Sequence, residues 1–357
     1  MQKIKRKFSV SWAQQIVDRH AQNTKVSAVR FDSLDIGTTS RVRLKVEHNN
    51  PETLPSRWFV KLPSQSWRAR FITALPRLLP TEVRFYQELA PVVPLECPMV
   101  LAAHRDWGVD TTLVLTDVTE QGAIVGSPYD ALTLQQAVSV IEQLARLHAR
   151  FWHKAGLEDA DEWLSSSIRR WEDRLGSVLA VPLMHRGLRQ AGEMIPIALY
   201  GPALDYARQR SKIMAALNSG PTTLIHHDLH PGNFYWQQSQ PGFLDWQLVR
   251  VGEGLSDVAY FLATALAPAT RRMHEQSLLA RYQQVLAEQG IATYDAATLL
   301  ARYQAHLLYP FEAMVLTLAV GGLMEREANL ELIRRTVAAL EDHDAFKFLT
   351  SSLTFNA

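Results

Sequence analysis

His226–Asp245, reading HHDLHPGNFYWQQSQPGFLD, is the stretch from which the rest of the chain can be understood. It holds two carboxylates, Asp228 and Asp245, and one carboxamide, Asn233. Pro231 and Gly232 put a turn between Asp228 and Asn233. Phe234-Tyr235-Trp236 reads as a short strand, 237–242 as its turn, and Gly242-Phe243-Leu244 as the return strand. That hairpin brings Asp245 back beside Asn233. The product is a compact set of oxygen donors suited to a hard divalent cation, with one acid left over as a base.

Phosphoryl transfer asks for such a set. Mg²⁺ keeps several waters and is held by one or two carboxylates plus substrate phosphates. The transferred group is stabilised mainly by charge and positioning, while one carboxylate accepts the proton of the attacking hydroxyl. On this reading Asp228 is the base, and Asn233 and Asp245 are the metal ligands. His226, His227 and His230 leave a different reading open, a zinc cluster serving a metal-dependent hydrolase. No zinc-ligand spacing recurs elsewhere. Otherwise His226 braces the loop as a buried residue and His230 supports the ligands from behind.

The pattern His226-x-Asp228-x4-Asn233, followed by Leu244-Asp245-Trp246-Gln247, resembles the aminoglycoside phosphotransferase family. The likeness is nearest to its ecdysteroid-kinase and choline-kinase-like branches, small-molecule relatives of the protein kinases. His227 departs from the pattern, since the family more often has Gly there. The resemblance implies a protein-kinase-like, two-lobed α+β fold. Residues 1–117 would form an antiparallel-sheet lobe that binds nucleotide, and residues 118–357 a mainly helical lobe for catalysis and acceptor binding. It also implies ATP and Mg²⁺ as cofactors and a small-molecule hydroxyl as acceptor. A non-catalytic, nucleotide-binding regulatory protein is the rival of another class.

Composition is compatible with this. The 357 residues are 47% hydrophobic, enough for a large core and two lobes. A formal net charge of +1 argues against a surface that binds nucleic acid over the whole molecule. Cys97 is the only cysteine, so no intramolecular disulfide can form, and a reducing, cytoplasmic setting fits. The basic start MQKIKRKFSV is not followed by an apolar stretch and does not read as a secretory signal. The most apolar run, Ala313–Met324, is too short to span a bilayer and reads as a buried helix.

Along the chain, Ser11–Val17 reads as a short helix capped by Ser11. Strict alternation at Arg41–Glu47 predicts a half-buried strand, with Val42, Leu44 and Val46 on one face. Val29–Ile36 and Trp58–Leu62 complete an antiparallel sheet. The turn between the first two strands, Gly37-Thr38-Thr39-Ser40, lies where the family's loop covers the nucleotide phosphates. Lys61, among apolar strand residues, needs an anion. In the kinase arrangement a strand lysine pairs with a helix glutamate at the α and β phosphates. Glu82 fits that role, on a helix beginning at 80 with Thr81 as its cap; Glu88 is the reserve. The basic segment 63–79 is either a flap over the nucleotide or a solvated loop.

Leu113–Val118 is an apolar strand turning polar. By resemblance it is the hinge, with backbone groups of Leu115, Thr116 and Asp117 along the adenine site. Thr133-x-x-Gln136 is a capping box opening a long helix. His148, near its end, reads as a packing residue. Trp163, Trp171, Met184 and Met194 lie where the family's small-molecule kinases build the acceptor pocket. Glu158, Asp159, Asp161 and Glu162 would suit a polycationic acceptor or a plain surface loop. Asp257 starts another helix, and by resemblance it braces the catalytic loop.

Overall fold

The alternating stretch at 41–47 becomes the second strand of a five-stranded antiparallel sheet. The computed structural model describes residues 7–36, 39–64, 78–104, 111–165, 167–292 and 294–349. The strands are β1 (Val26–Ile36), β2 (Thr39–His48), β3 (Arg57–Pro63), β4 (Val100–His104) and β5 (Thr112–Thr116), in the order β1-β2-β3-β5-β4.

The two faces of this sheet do different work. Val42 pairs with Val60 and Val60 with Val114; all three are fully buried. They form a core with Ala13, Ile16 and Val17 of helix α1 (Val10–Val17). On the other face Arg41 pairs with Lys61 and Lys61 with Leu113, while Arg43 pairs with Phe59 and Phe59 with Leu115. Leu113 and Leu115 belong to the larger core of the remaining chain. The charged side of β2 therefore looks toward the junction of the lobes, where the strand pattern alone had left it facing water.

Two caps differ from the sequence expectation. Ser9, not Ser11, caps α1, its Oγ accepting the Trp12 N–H at 3.1 Å. A cap must reach the third residue on, and Ser9 stands at that offset. Thr81 is no cap either, because helix α2 begins earlier (Leu78–Arg84) and buries it. A single π-helical turn, Phe85–Leu89, continues α2.

The second lobe starts with a short strand, β6 (Ile124–Val125), and helix α3 (Leu134–Arg150), which has the full Thr133/Gln136 capping box. Helices α4 (Ser167–Ala191) and α5 (Tyr200–Leu217) follow. Strand β7 (Thr222–Ile225) pairs with β10 (Arg250–Glu253), and between them β8 (Phe234–Gln237) and β9 (Gln240–Phe243) make the expected hairpin. Every residue of α6 (Gly254–Ala265) is buried. The remaining helices are α7 (Pro268–Glu288), α8 (Ala296–His306), α9 (Leu308–Val320) and α10 (Arg326–His343). The apolar run lies mostly in α9, and no described helix is long and apolar enough to cross a membrane. This is a two-lobed α+β fold with a sheet-based first lobe and a helical second.

Candidate active site

Lys61 reaches across the junction of the lobes. Its Nζ donates to both Glu82 oxygens at 2.7 and 2.8 Å and to Asp245 Oδ1 at 3.0 Å. The buried ammonium thus has two anions, one from each lobe. The reserve residue Glu88 is occupied elsewhere, accepting Trp163 Nε1 at 2.7 Å. Burial pushes the Glu82 carboxyl up, to about 7, against the pull of Lys61. Burial works on Asp245 in the same sense, but Lys61 and Arg41 outweigh it and hold that carboxyl below its ordinary value. For Lys61 itself, burial disfavours the charge, yet Asp245 and Glu82 raise it above the usual lysine value.

The hairpin explains how Asp245 arrives there. Leu244 N–H donates to Asn233 O at 2.8 Å, closing the hairpin base. Asp245 then takes φ +62°, ψ +62°, which turns the chain out of β9. The next residue, Trp246, is fully buried and stacks on Phe85, with ring centroids 4.0 Å apart and planes 8° from parallel. Phe85 directly follows α2, so the residue after Asp245 fixes the helix that carries Glu82.

The loop after β7 is held by Asp257. Its carboxylate, in the first turn of α6, accepts the N–H groups of His226 and His227, each at 2.7 Å. Behind it lies the fully buried His148, Nε2 3.4 Å from Asp257 Oδ2 and Nδ1 2.8 Å from the Tyr282 hydroxyl. His148 is therefore a packing residue. His227 has φ +72°, a conformation that favours glycine. Its ring stacks on Tyr309 at 4.0 Å and 13°, and the Tyr309 hydroxyl donates to its carbonyl at 3.4 Å. Those contacts hold a non-glycine residue in the left-handed region.

Asp228 is gripped at both oxygens. Oδ1 accepts from the Tyr260 hydroxyl at 2.7 Å, and Oδ2 accepts from Asn233 Nδ2 at 3.2 Å. The same amide donates to Asp228 O at 2.7 Å. With its nitrogen committed, Asn233 has its carbonyl oxygen left for a cation. Asn233 and Asp245 are thus a pair of oxygen donors of the kind Mg²⁺ takes. Tyr260 escaped the sequence reading; its one signal was standing three residues after Asp257, on the same helix face.

The histidines do not converge as a zinc site would require. His226 Nε2 bonds Leu244 O at 2.9 Å, His227 stacks on Tyr309, and His230 Nδ1 accepts Gly232 N–H at 3.1 Å. Among the described residues no group of three His, Cys, Asp or Glu could hold a metal.

Two further expectations concern the nucleotide. Gly37 and Thr38 lie outside the described residues, as does 65–77 of the candidate flap. Thr39 and Ser40 belong to β2, with buried side chains, and pair with Pro63 and Leu62. At the hinge, Thr116 N–H goes to Met99 O, and Asp117 N–H to Arg57 O. Asp117 O accepts Glu120 N–H, and its carboxylate takes Arg43 and Thr119. Neither N–H is available to a purine. Leu115 instead offers a buried side chain on the cleft face.

On the acceptor side Trp163 and Met184 are buried, while Trp171 and Met194 are about half exposed (51% and 45%). Asp161 is drawn to Lys154 at 3.0 Å and Ser165 at 2.8 Å.

Comparisons with known proteins agree with this fold. The profile of the phosphotransferase enzyme family matches residues 45–300. A choline kinase from Cryptosporidium parvum superposes with a TM-score of 0.56 at 10% identity, covering 97% of this chain and 98% of the other. A protein described as a putative aminoglycoside phosphotransferase, from Ralstonia eutropha, gives 0.52 at 14% identity, covering 94% and 98%. A comparison with curated protein sequences finds no match. The family profile spans most of the chain, from β2 into α8, and takes in Lys61, Glu82 and the whole 226–245 loop: the chain belongs to the phosphotransferase enzyme family.

Proposed function

We propose that this protein is a small-molecule kinase, moving the γ-phosphate of ATP to a hydroxyl with Mg²⁺ as cofactor. The observation that carries the reading is the contact of Lys61 with both Glu82 and Asp245. Apolar strand chemistry does not explain an ammonium sharing two carboxylates in a cleft, but a triphosphate does. On this reading Lys61 holds the α and β phosphates, while Glu82 keeps the ammonium in place. Asn233 and Asp245 ligate the metal, which when bound neutralises charge building between the β and γ phosphates. Asp228 orients the acceptor hydroxyl and takes its proton, with Tyr260 and Asn233 fixing its carboxylate. The lobe boundary is drawn at Asp117, with Leu115 as an apolar wall of the nucleotide site.

An acceptor screen tests this. A panel of amino alcohols, sugars, sterols and aminoglycosides is incubated with ATP and Mg²⁺ and read by mass for the gain of one phosphate. At least one acceptor should gain it, and Asp228→Asn should slow that transfer by about 10²–10⁴-fold. An acceptor phosphorylated at the same rate by Asp228→Asn would refute the assignment of the base.

A further inference from the structure

Arg41 stands beside Lys61 in the β2–β3 ladder and faces the same cleft. One guanidinium nitrogen lies 3.6 Å from Asp245 Oδ2 and another 3.5 Å from Asp35 Oδ2. Those separations suit an ion pair but are too long for a good hydrogen bond. The third nitrogen, Nε, is buried and has no hydrogen-bond partner among the described residues. A guanidinium is a rigid fork that matches a two-oxygen anion. Here its charge is balanced while the fork stays unfilled. Arg43, two residues on, is by contrast firmly bonded to Asp117 at 3.0 Å. Of these two arginines on one face of β2, the loosely held one is the neighbour of Lys61 and Asp245.

We propose that Arg41 is a second phosphate-binding cation of the site, and that it serves as the counter-ion of Asp245 until Mg²⁺–nucleotide enters. The proposal rests on the phosphotransferase reading above. Lys61 and Arg41 share the Asp245 carboxylate, one on each oxygen. A divalent ion on Asp245 would repel the guanidinium and take its place. Arg41 then turns to the phosphate oxygens arriving with the metal, and its fork, Nε included, is filled.

Two titrations of opposite sign test this. Mg²⁺–ATP binding is measured by calorimetry, and Mn²⁺ alone by electron paramagnetic resonance, for the full-length protein and Arg41→Ala. Melting by circular dichroism confirms folding, and Arg41→Lys, which keeps the charge but not the fork, replaces the alanine variant if that one fails. Arg41→Ala should bind Mg²⁺–ATP about 10- to 100-fold more weakly, the usual worth of charge-assisted hydrogen bonds. It should bind Mn²⁺ alone more tightly than the wild type, since Asp245 has lost its competitor. Arg41→Lys should fall between the alanine variant and the wild type for the nucleotide. A purely structural arginine would weaken both ligands. Unchanged Mg²⁺–ATP affinity, or no gain for Mn²⁺, overturns the proposal and leaves the kinase reading standing. A wild type that takes up no Mg²⁺–ATP overturns both.

Discussion

At the smallest scale the proposed chemistry rests on Asp228 and its two donors. A carboxylate that must accept one proton in one direction gains from having each oxygen already fixed. Asn233 was legible from its spacing to Asp228, because both lie in one short loop. Tyr260 was not, since its hydroxyl comes from a helix 32 residues later. Removing that hydroxyl leaves the carboxylate in place but free to turn. Tyr260→Phe should lower kcat roughly tenfold, the worth of one hydrogen bond to a charged group, with nucleotide affinity unchanged. Steady-state kinetics on a phosphorylated acceptor will check it, and an unchanged kcat would make Tyr260 a packing residue only. His227 teaches a related lesson. Its left-handed backbone could be suspected from the family's glycine, but the compensating stack on Tyr309 joins residues 82 positions apart.

Among the elements, β10 and α8 are joined by a buried carboxylate that local patterns did not reveal. Glu253 accepts Arg302 Nε at 2.7 Å and the Tyr294 hydroxyl at 3.1 Å, with His306 Nε2 3.2 Å away. It ends the strand paired to β7, which leads into the loop that carries Asp228. Burial alone would raise this carboxyl, but His306 and Arg302 hold it down at about 2, against an ordinary 4.5. A lowered folded value contributes stability above pH 4.5 that is lost as pH falls toward 2, about 3 kcal/mol in all. Glu82 runs the other way. Raised from 4.5 to about 7, it costs stability as pH climbs through that window. Glu253→Gln leaves Arg302 buried without its anion and should melt well below the wild type at pH 7. The gap should narrow as pH falls below 4.5 and be nearly closed by pH 2, where the wild type loses the same charge. Melting curves from pH 2 to 7 decide it; a gap constant across that range would mean Glu253 stabilises by packing alone. Element boundaries follow the same rule as this ion pair. The Thr133/Gln136 box was readable because cap and partner are three residues apart. The start of α2 was misread because Thr81, a good cap by type, is buried inside a helix that begins before it.

At the scale of the molecule, the two lobes were foreseeable from the family resemblance, while periodicity gave their elements: alternation at Arg41–Glu47, helical spacing after Thr133. The Asp228, Asn233 and Asp245 cluster was equally plain, since a single hairpin assembles it. The closure that brings Lys61 to Asp245 was expected from the resemblance alone, and its remaining contacts were not legible. Arg41 meets Asp245 across 204 positions, and its strand pattern announced only a polar face. The Phe85–Trp246 stack, which seats the Glu82 helix on the residue after Asp245, likewise depends on the folded whole. The central claim is that this closure surrounds one metal-bound triphosphate. Calorimetric titration of Mg²⁺–ATP into the wild type, Asp228→Asn and Asp245→Ala tests it most directly. The account predicts binding by the wild type, near-equal binding by Asp228→Asn, and at least about tenfold weaker binding by Asp245→Ala, which lacks an anionic metal ligand. Equal affinity in all three, or no uptake by the wild type, would contradict it.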